Sequence, residues 1–268
     1  MEYFVKKTSI VREIWSKGDT ILFIFAGSAA EFAVNKAVDW LYFTGRLPAD
    51  PIGRLFSTVN YARKIIFAER YIALNAIDKI NTIHQTVENN RGSKIPDWAY
   101  RDVLFMLIDY SIRSFELLER KLTKAEKQDV VDVFNELGIR MGLKDLPKSY
   151  TDWHVMRDAH LKENLKYSKF TTDLYKQYRK HLGSFRYQVL LQAQVLVVPK
   201  RVNHLLSLGR IAFLKPAIFI YKICRILNLH QYIKNIMLPE AYKKQIADLD
   251  QISNHMSGNI EPLKSETI

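Results

Sequence analysis

Apolar positions recur at steps of three and four along most of the chain, the period of helices rather than strands. The first sustained run begins at Thr20, capped by Gly18-Asp19-Thr20, and continues to about Phe43, predicting the first core helix. The Gly, Pro and Asp density of residues 44–51 marks a loop, and Asp50-Pro51 forms an N-cap and first-turn pair. From Ile52 to about Val87 the only Gly or Pro is Gly53, while Ile72, Ala76, Ile80, Ile83 and Val87 repeat at steps of four and three. The spacing predicts two consecutive helices with a bend near Ala68. A polar break over residues 88–97 precedes a helix from Trp98 to about Arg120, with Phe105, Ile108, Ile112 and Phe115 as its buried stripe. Thr123-Lys124-Ala125-Glu126 is a capping box and opens a helix that stops between Gly138 and Gly142. Further helices follow Thr151, Thr171 and Ser184, with shorter ones around Lys200 and Ile211. The predicted organisation is an N-terminal extension (1–19), one helical domain (20–252) and a disordered tail (253–268).

Composition narrows this picture. Of 268 residues, 48% are hydrophobic, which excludes intrinsic disorder, and only 10 are Gly and 8 Pro, which disfavours turn-dense sandwiches and propellers. An all-α fold is expected. The single cysteine, Cys224, excludes an internal disulfide and a C-x-x-C pair and points to a reducing compartment. The start of the chain lacks the order of a signal peptide. The apolar run of residues 21–34 carries Glu31 and is shorter than the ~20 residues a membrane span needs. A cytoplasmic protein with peripheral membrane contact is expected.

The formal net charge of +12 favours an acidic partner. Residues 199–244 carry nine Lys and Arg against one acid, Glu240, interleaved with apolar residues from Ile211 to Leu227. Two readings stay open for this segment: an interfacial helix on anionic lipid, or a C-terminal helix packed on the core with snorkelling lysines. The basic residues are not set in a recognisable reading motif, so no nucleic-acid partner is expected.

Missing motifs remove several enzyme classes. There is no G-x-G-x-x-G, G-x-x-x-x-G-K-[ST], H-E-x-x-H or G-x-S-x-G. None of the seven histidines follows an acid by three residues, which disfavours a carboxylate-bridged di-iron site. His84 shares a helix face with Ile77 and Ile80, so it points inward, as a hydrogen-bonded core histidine or a haem axial ligand. Arg54 and Thr58 stack four residues apart, able to bond a bound oxygen species or acidic group, or to be an ordinary solvated Arg with a Thr bonded into its own helix. His154 with Asp158, and His160 with Glu163, form two pairs facing different directions, which predicts surface ion pairs rather than a metal centre.

The order of motifs resembles the oxygenase family that includes the fungal MpaB-type enzymes and the bacterial latex-clearing proteins, or rubber oxygenases. The matching pieces are Asp50-Pro51-Ile52-Gly53-Arg54-Leu55-Phe56-Ser57-Thr58, then His84-Gln85-Thr86-Val87, Leu122-Thr123-Lys124-Ala125-Glu126 and Gly142-Leu143-Lys144-Asp145-Leu146-Pro147. The resemblance implies a single globin-like multi-helix domain around a haem b pocket and O2-dependent cleavage of a carbon-carbon double bond in an isoprenoid-like or unsaturated lipid substrate. His84 matches the proximal haem iron ligand, and Arg54 and Thr58 match polar residues lining the haem site. Where latex-clearing proteins carry a Lys able to act as a distal ligand, this chain has Ser57, so the sixth iron position is expected to be open or to hold water. Their catalytic glutamate has only Glu31 and Asp39 as loose counterparts. The N-terminal membrane span of the MpaB-type enzymes has no counterpart here. Basic residues near the pocket mouth would pair the haem propionates, though the sequence does not single them out. A non-catalytic haem- or lipid-binding helical protein on membrane surfaces is the alternative function.

Overall fold

The computed structural model describes residues 2–45 and 49–209. The helix expected near Ile211, nearly all of the basic apolar segment, Cys224 and the C-terminal tail lie outside the described residues. Among the described residues the helices are α1 (Ile10–Ser16), α2 (Gly18–Val34), α3 (Val38–Phe43), α4 (Pro51–Phe67), α5 (Arg70–Arg91), α6 (Asp97–Leu118), α7 (Lys124–Arg140), α8 (Tyr150–Glu163), α9 (Lys169–Val197) and α10 (Lys200–Leu206). Extended pairing among them is confined to two isolated bridges, Tyr3 with Glu69 and Asn35 with Leu165. The fold is all-α, as the helical spacing predicts, and one apolar cluster runs from Phe4 to Val202.

Helix α2 is the centre of this bundle, packed between α6 and α9. Its apolar residues occupy every face, the pattern of a buried rather than a surface helix, and Ala26, Ala29, Ala30 and Ala33 are small enough for neighbouring backbones to come close. The one acid in its apolar run, Glu31, is fully buried. Arg157 of α8 donates to both Glu31 oxygens at 2.5 Å, and Tyr110 of α6 donates to Oε2 at 2.7 Å. The same guanidinium donates to Asp109 Oδ2 at 3.1 and 3.2 Å, while Arg113 Nε donates to Asp109 Oδ1 at 2.6 Å. Burial opposes the Arg157 charge, but Glu31 and Asp109 outweigh it and raise its pKa above the ordinary value. Three helices are thus joined by a buried network whose charges compensate one another.

Two departures from the periodicity have identifiable causes. The helix expected from Thr20 to Phe43 is broken between α2 and α3. Asn35 turns its side chain inward, donating to Asp102 Oδ2 at 2.7 Å and accepting from the Ala37 N–H at 2.8 Å. The backbone there pairs with the segment after α8, Lys36 N–H to Asn164 O and Lys166 N–H to Val34 O. Before Thr20, α1 escapes notice because Arg12 and Glu13 interrupt its short apolar face. Arg12 is nevertheless buried, donating to Val5 O at 2.9 Å and lying over the Tyr3 ring, and Trp15 is fully enclosed.

The helices expected after Thr171 and Ser184 form the two arms of α9. Gly183 has φ +71 and ψ 172, a conformation open to glycine. Tyr175 donates to Gln194 Oε1 at 2.9 Å across this point, although a straight helix would separate residues nineteen apart by about 28 Å. The chain therefore turns back at Gly183 and the arms lie side by side.

Replacing Arg157 by Leu leaves Glu31 and Asp109 buried without their shared cation. The expected result is a loss of about 3–5 kcal/mol in unfolding free energy, read from denaturant midpoints; a loss below about 1 kcal/mol would remove the network as the tie between the three helices.

Candidate functional site

The candidate residues gather where α4 and α5 form a helical hairpin. Asp50 caps α4 by accepting from the Gly53 N–H at 2.9 Å, with Pro51 in the first turn. Gly53 is required by that cap, since a Cβ there would come 2.1 Å from Asp50 Oδ2. The Asp-Pro-x-Gly piece is thus a helix start that sets Arg54 in the first turns of α4. Phe56 holds the helix to the centre of the fold, its ring 5.0 Å from that of Phe25 on α2.

The bend at Ala68 reverses the chain, and Arg54 and His84 lie fifteen residues either side of Glu69, hence level with each other across the hairpin. Both are half-buried. The His84 Nδ1 is buried with no hydrogen-bond partner. Burial, and then the positive charge of Arg54, lower the imidazole pKa against an opposing pull from Glu88. The ring is therefore neutral at neutral pH and carries an unused nitrogen, the state in which imidazole ligates a metal.

Residues absent from the sequence reading complete the surroundings. Tyr100 of α6 sets its ring edge-on to His84, centroids 5.1 Å apart. Glu88, one turn beyond His84 on α5, accepts from Lys94 Nζ at 2.8 Å, the Ile95 N–H at 3.0 Å and the Tyr100 hydroxyl at 3.4 Å. Burial opposes the Glu88 charge, yet these donors hold its pKa below the ordinary carboxylate value. Glu88 thereby ties the loop after α5 back onto the helix and carries Tyr100 to the imidazole. The signal for Glu88 lay in the sequence, four residues from His84 and so on its face.

Thr58 sits one turn beyond Arg54, is exposed, and donates its hydroxyl to the Arg54 carbonyl at 3.1 Å. Ser57 is half-buried. The two loose acid candidates are both engaged: Glu31 within the buried network, and Asp39 in an ion pair with Arg91 at 2.8 Å. His154 and Asp158 form an exposed pair at 3.8 Å, as expected. His160 does not pair with Glu163; it is bonded to Asp102, which is buried and also accepts from Asn35 and Asn164. A long-range acid on α6 takes the place of the neighbour on the same helix. Among the described residues no group of three or more His, Cys, Asp or Glu side chains could hold a metal ion, and no helix is long and apolar enough to cross a membrane.

Residues 15–219 match the family described as ER-bound oxygenase mpaB/B'/rubber oxygenase, catalytic domain, over most of the chain. No curated protein and no solved structure matches it.

The depressed His84 pKa has a thermodynamic consequence. Below the unfolded value of about 6.5 the unfolded chain binds a proton that the folded chain refuses, so stability falls as pH drops through that value. Melting temperatures at pH 7, 6 and 5 should decline less steeply for His84→Gln than for the wild-type chain. Parallel declines would show that His84 titrates freely in the fold.

Proposed function

Because the chain belongs to the family of MpaB-type and rubber oxygenase catalytic domains, we propose that it is a haem b-dependent oxygenase, using O2 to cleave a carbon-carbon double bond in an apolar isoprenoid-like or unsaturated lipid substrate. The observation that carries this reading is the neutral, half-buried His84 imidazole, whose buried Nδ1 has no partner, beside the Arg54 cation. That donor fits an axial ligand to haem iron.

When bound, haem b supplies the iron and redox chemistry that O2 requires. His84 would hold the iron, and burial keeps that imidazole unprotonated and available. Arg54 brings a fixed positive charge level with His84, where it stabilises negative charge developing on oxygen through a preorganised donor. Thr58 would contribute a second donor, its hydroxyl, from the same helix, on releasing its bond to the Arg54 carbonyl. Phe25 and Phe56 give the α2 side of the hairpin an apolar character suited to a hydrocarbon chain. A substrate of this class is met at lipid surfaces, and the basic, apolar residues 199–244 suit peripheral contact with anionic lipid.

Two variants separate binding from chemistry. His84→Ala should lose stoichiometric haem while keeping its helical circular dichroism, and full haem retention would remove His84 as the ligand. Arg54→Ala should retain haem and lose turnover of an unsaturated lipid by about 10²–10³-fold, measured as O2 uptake with carbonyl product; unchanged turnover would remove its assigned role.

A further inference from the structure

We infer that Arg91 is the anchor for a carboxylate of the bound ligand, and specifically for a haem propionate. The inference rests on the haem reading above and concerns a residue outside the motif pieces that carry the family resemblance.

Arg91 is the last residue of α5, seven after His84. Seven residues fall within about 20° of two full turns and advance about 10 Å along the axis, so Arg91 lies on the His84 face, about as far off as a porphyrin's propionates lie from its metal. The hairpin sets its level in the bundle. Residues equidistant from Glu69 face each other, and the counterpart of Arg91 falls before Pro51, where α4 begins. Arg91 therefore stands beyond the end of α4, about two turns along α5 from the level at which Arg54 and His84 face each other. A ligand held by its centre at His84 would present its charged edge at this level.

The guanidinium is already fixed for such a role. Nη2 donates to Asp39 at 2.8 Å, and the planar group lies 3.9 Å from the centroid of the Trp40 ring on α3, with Phe43 at 5.5 Å. Its Nη1 is buried and has no hydrogen-bond partner. A buried cationic donor left unpaired is costly, and a carboxylate is the group that best matches the fork of an arginine. The acid between the two positions does not compete for it, because both Glu88 oxygens are occupied by Lys94, Ile95 and Tyr100. With Asp39 held on Nη2 and Nη1 left without a partner, a carboxylate brought against Nη1 would be bonded without the first being given up.

Titration of the apo-protein with haem and with haem dimethyl ester, which lacks the two carboxylates, tests this directly. For Arg91→Gln the account expects haem affinity to fall about fivefold or more, with ester affinity unchanged within about twofold. Asp39→Asn removes the same ion pair but leaves the guanidinium, and should bind haem at least as tightly as the wild-type chain. Equal weakening of haem and ester by Arg91→Gln, or no weakening of either, overturns the assignment while leaving haem binding at His84 intact. A wild-type chain that takes up neither porphyrin removes the haem reading and this inference with it.

Discussion

A carboxylate in the middle of an otherwise apolar central helix is the constraint around which this fold is arranged. Glu31 has no route to water, so α6 and α8 must deliver donors to it, and Arg157 and Tyr110 do so. Arg157 in turn has a third buried nitrogen, Nε, that Glu31 does not reach, and Asp109 accepts from it and from Nη2. One-sided removal is costly because each charge was desolvated on the condition that the others are present. The network fixes the orientation of α6 about the centre, and α6 is the helix that carries Tyr100 to the imidazole.

The candidate site uses the opposite strategy. At the α4–α5 hairpin, burial is left without compensation at the His84 Nδ1, as at the Arg91 Nη1 two turns on, and a neighbouring cation deepens the preference for the neutral ring. The carboxylates of this region are matched: Glu88 has three donors, and Asp39 has Arg91. An unpaired buried nitrogen beside satisfied carboxylates is a local cost that a ligand would relieve. That contrast links the helical hairpin to the chemistry of an oxygenase family.

Short-range features were legible in the sequence, and long-range ones were not. The bend at Ala68, the Asp50 cap, the Thr123–Glu126 capping box and the Phe105–Phe115 stripe each depend on residues within a few positions of one another, where spacing has a direct geometric meaning. The start of a new helix at Ser184 was visible for the same reason, though the reversal at Gly183 was not. The partners of Glu31 and His160 lie 126 and 58 residues away, and no periodicity encodes which acid meets which base across a bundle. His160 was assigned the nearest acid on its own helix, whereas tertiary packing supplied a buried one. The α2–α3 break was missed because Asn35 ends the helix by means of a side-chain bond to Asp102, a residue 67 positions on. Around His84, the inward face was legible from Ile77 and Ile80; the edge-on Tyr100 ring was not, because the α5–α6 loop decides it.

The central claim is that this chain takes up haem at a single buried imidazole. The most direct measurement is an absorption spectrum, ferric and dithionite-reduced, of protein produced with a haem supply, with a pyridine haemochrome assay for haem type and stoichiometry. The account predicts a Soret band and close to one haem b per chain. Protein that remains haem-free after repeated preparation and reconstitution would contradict it.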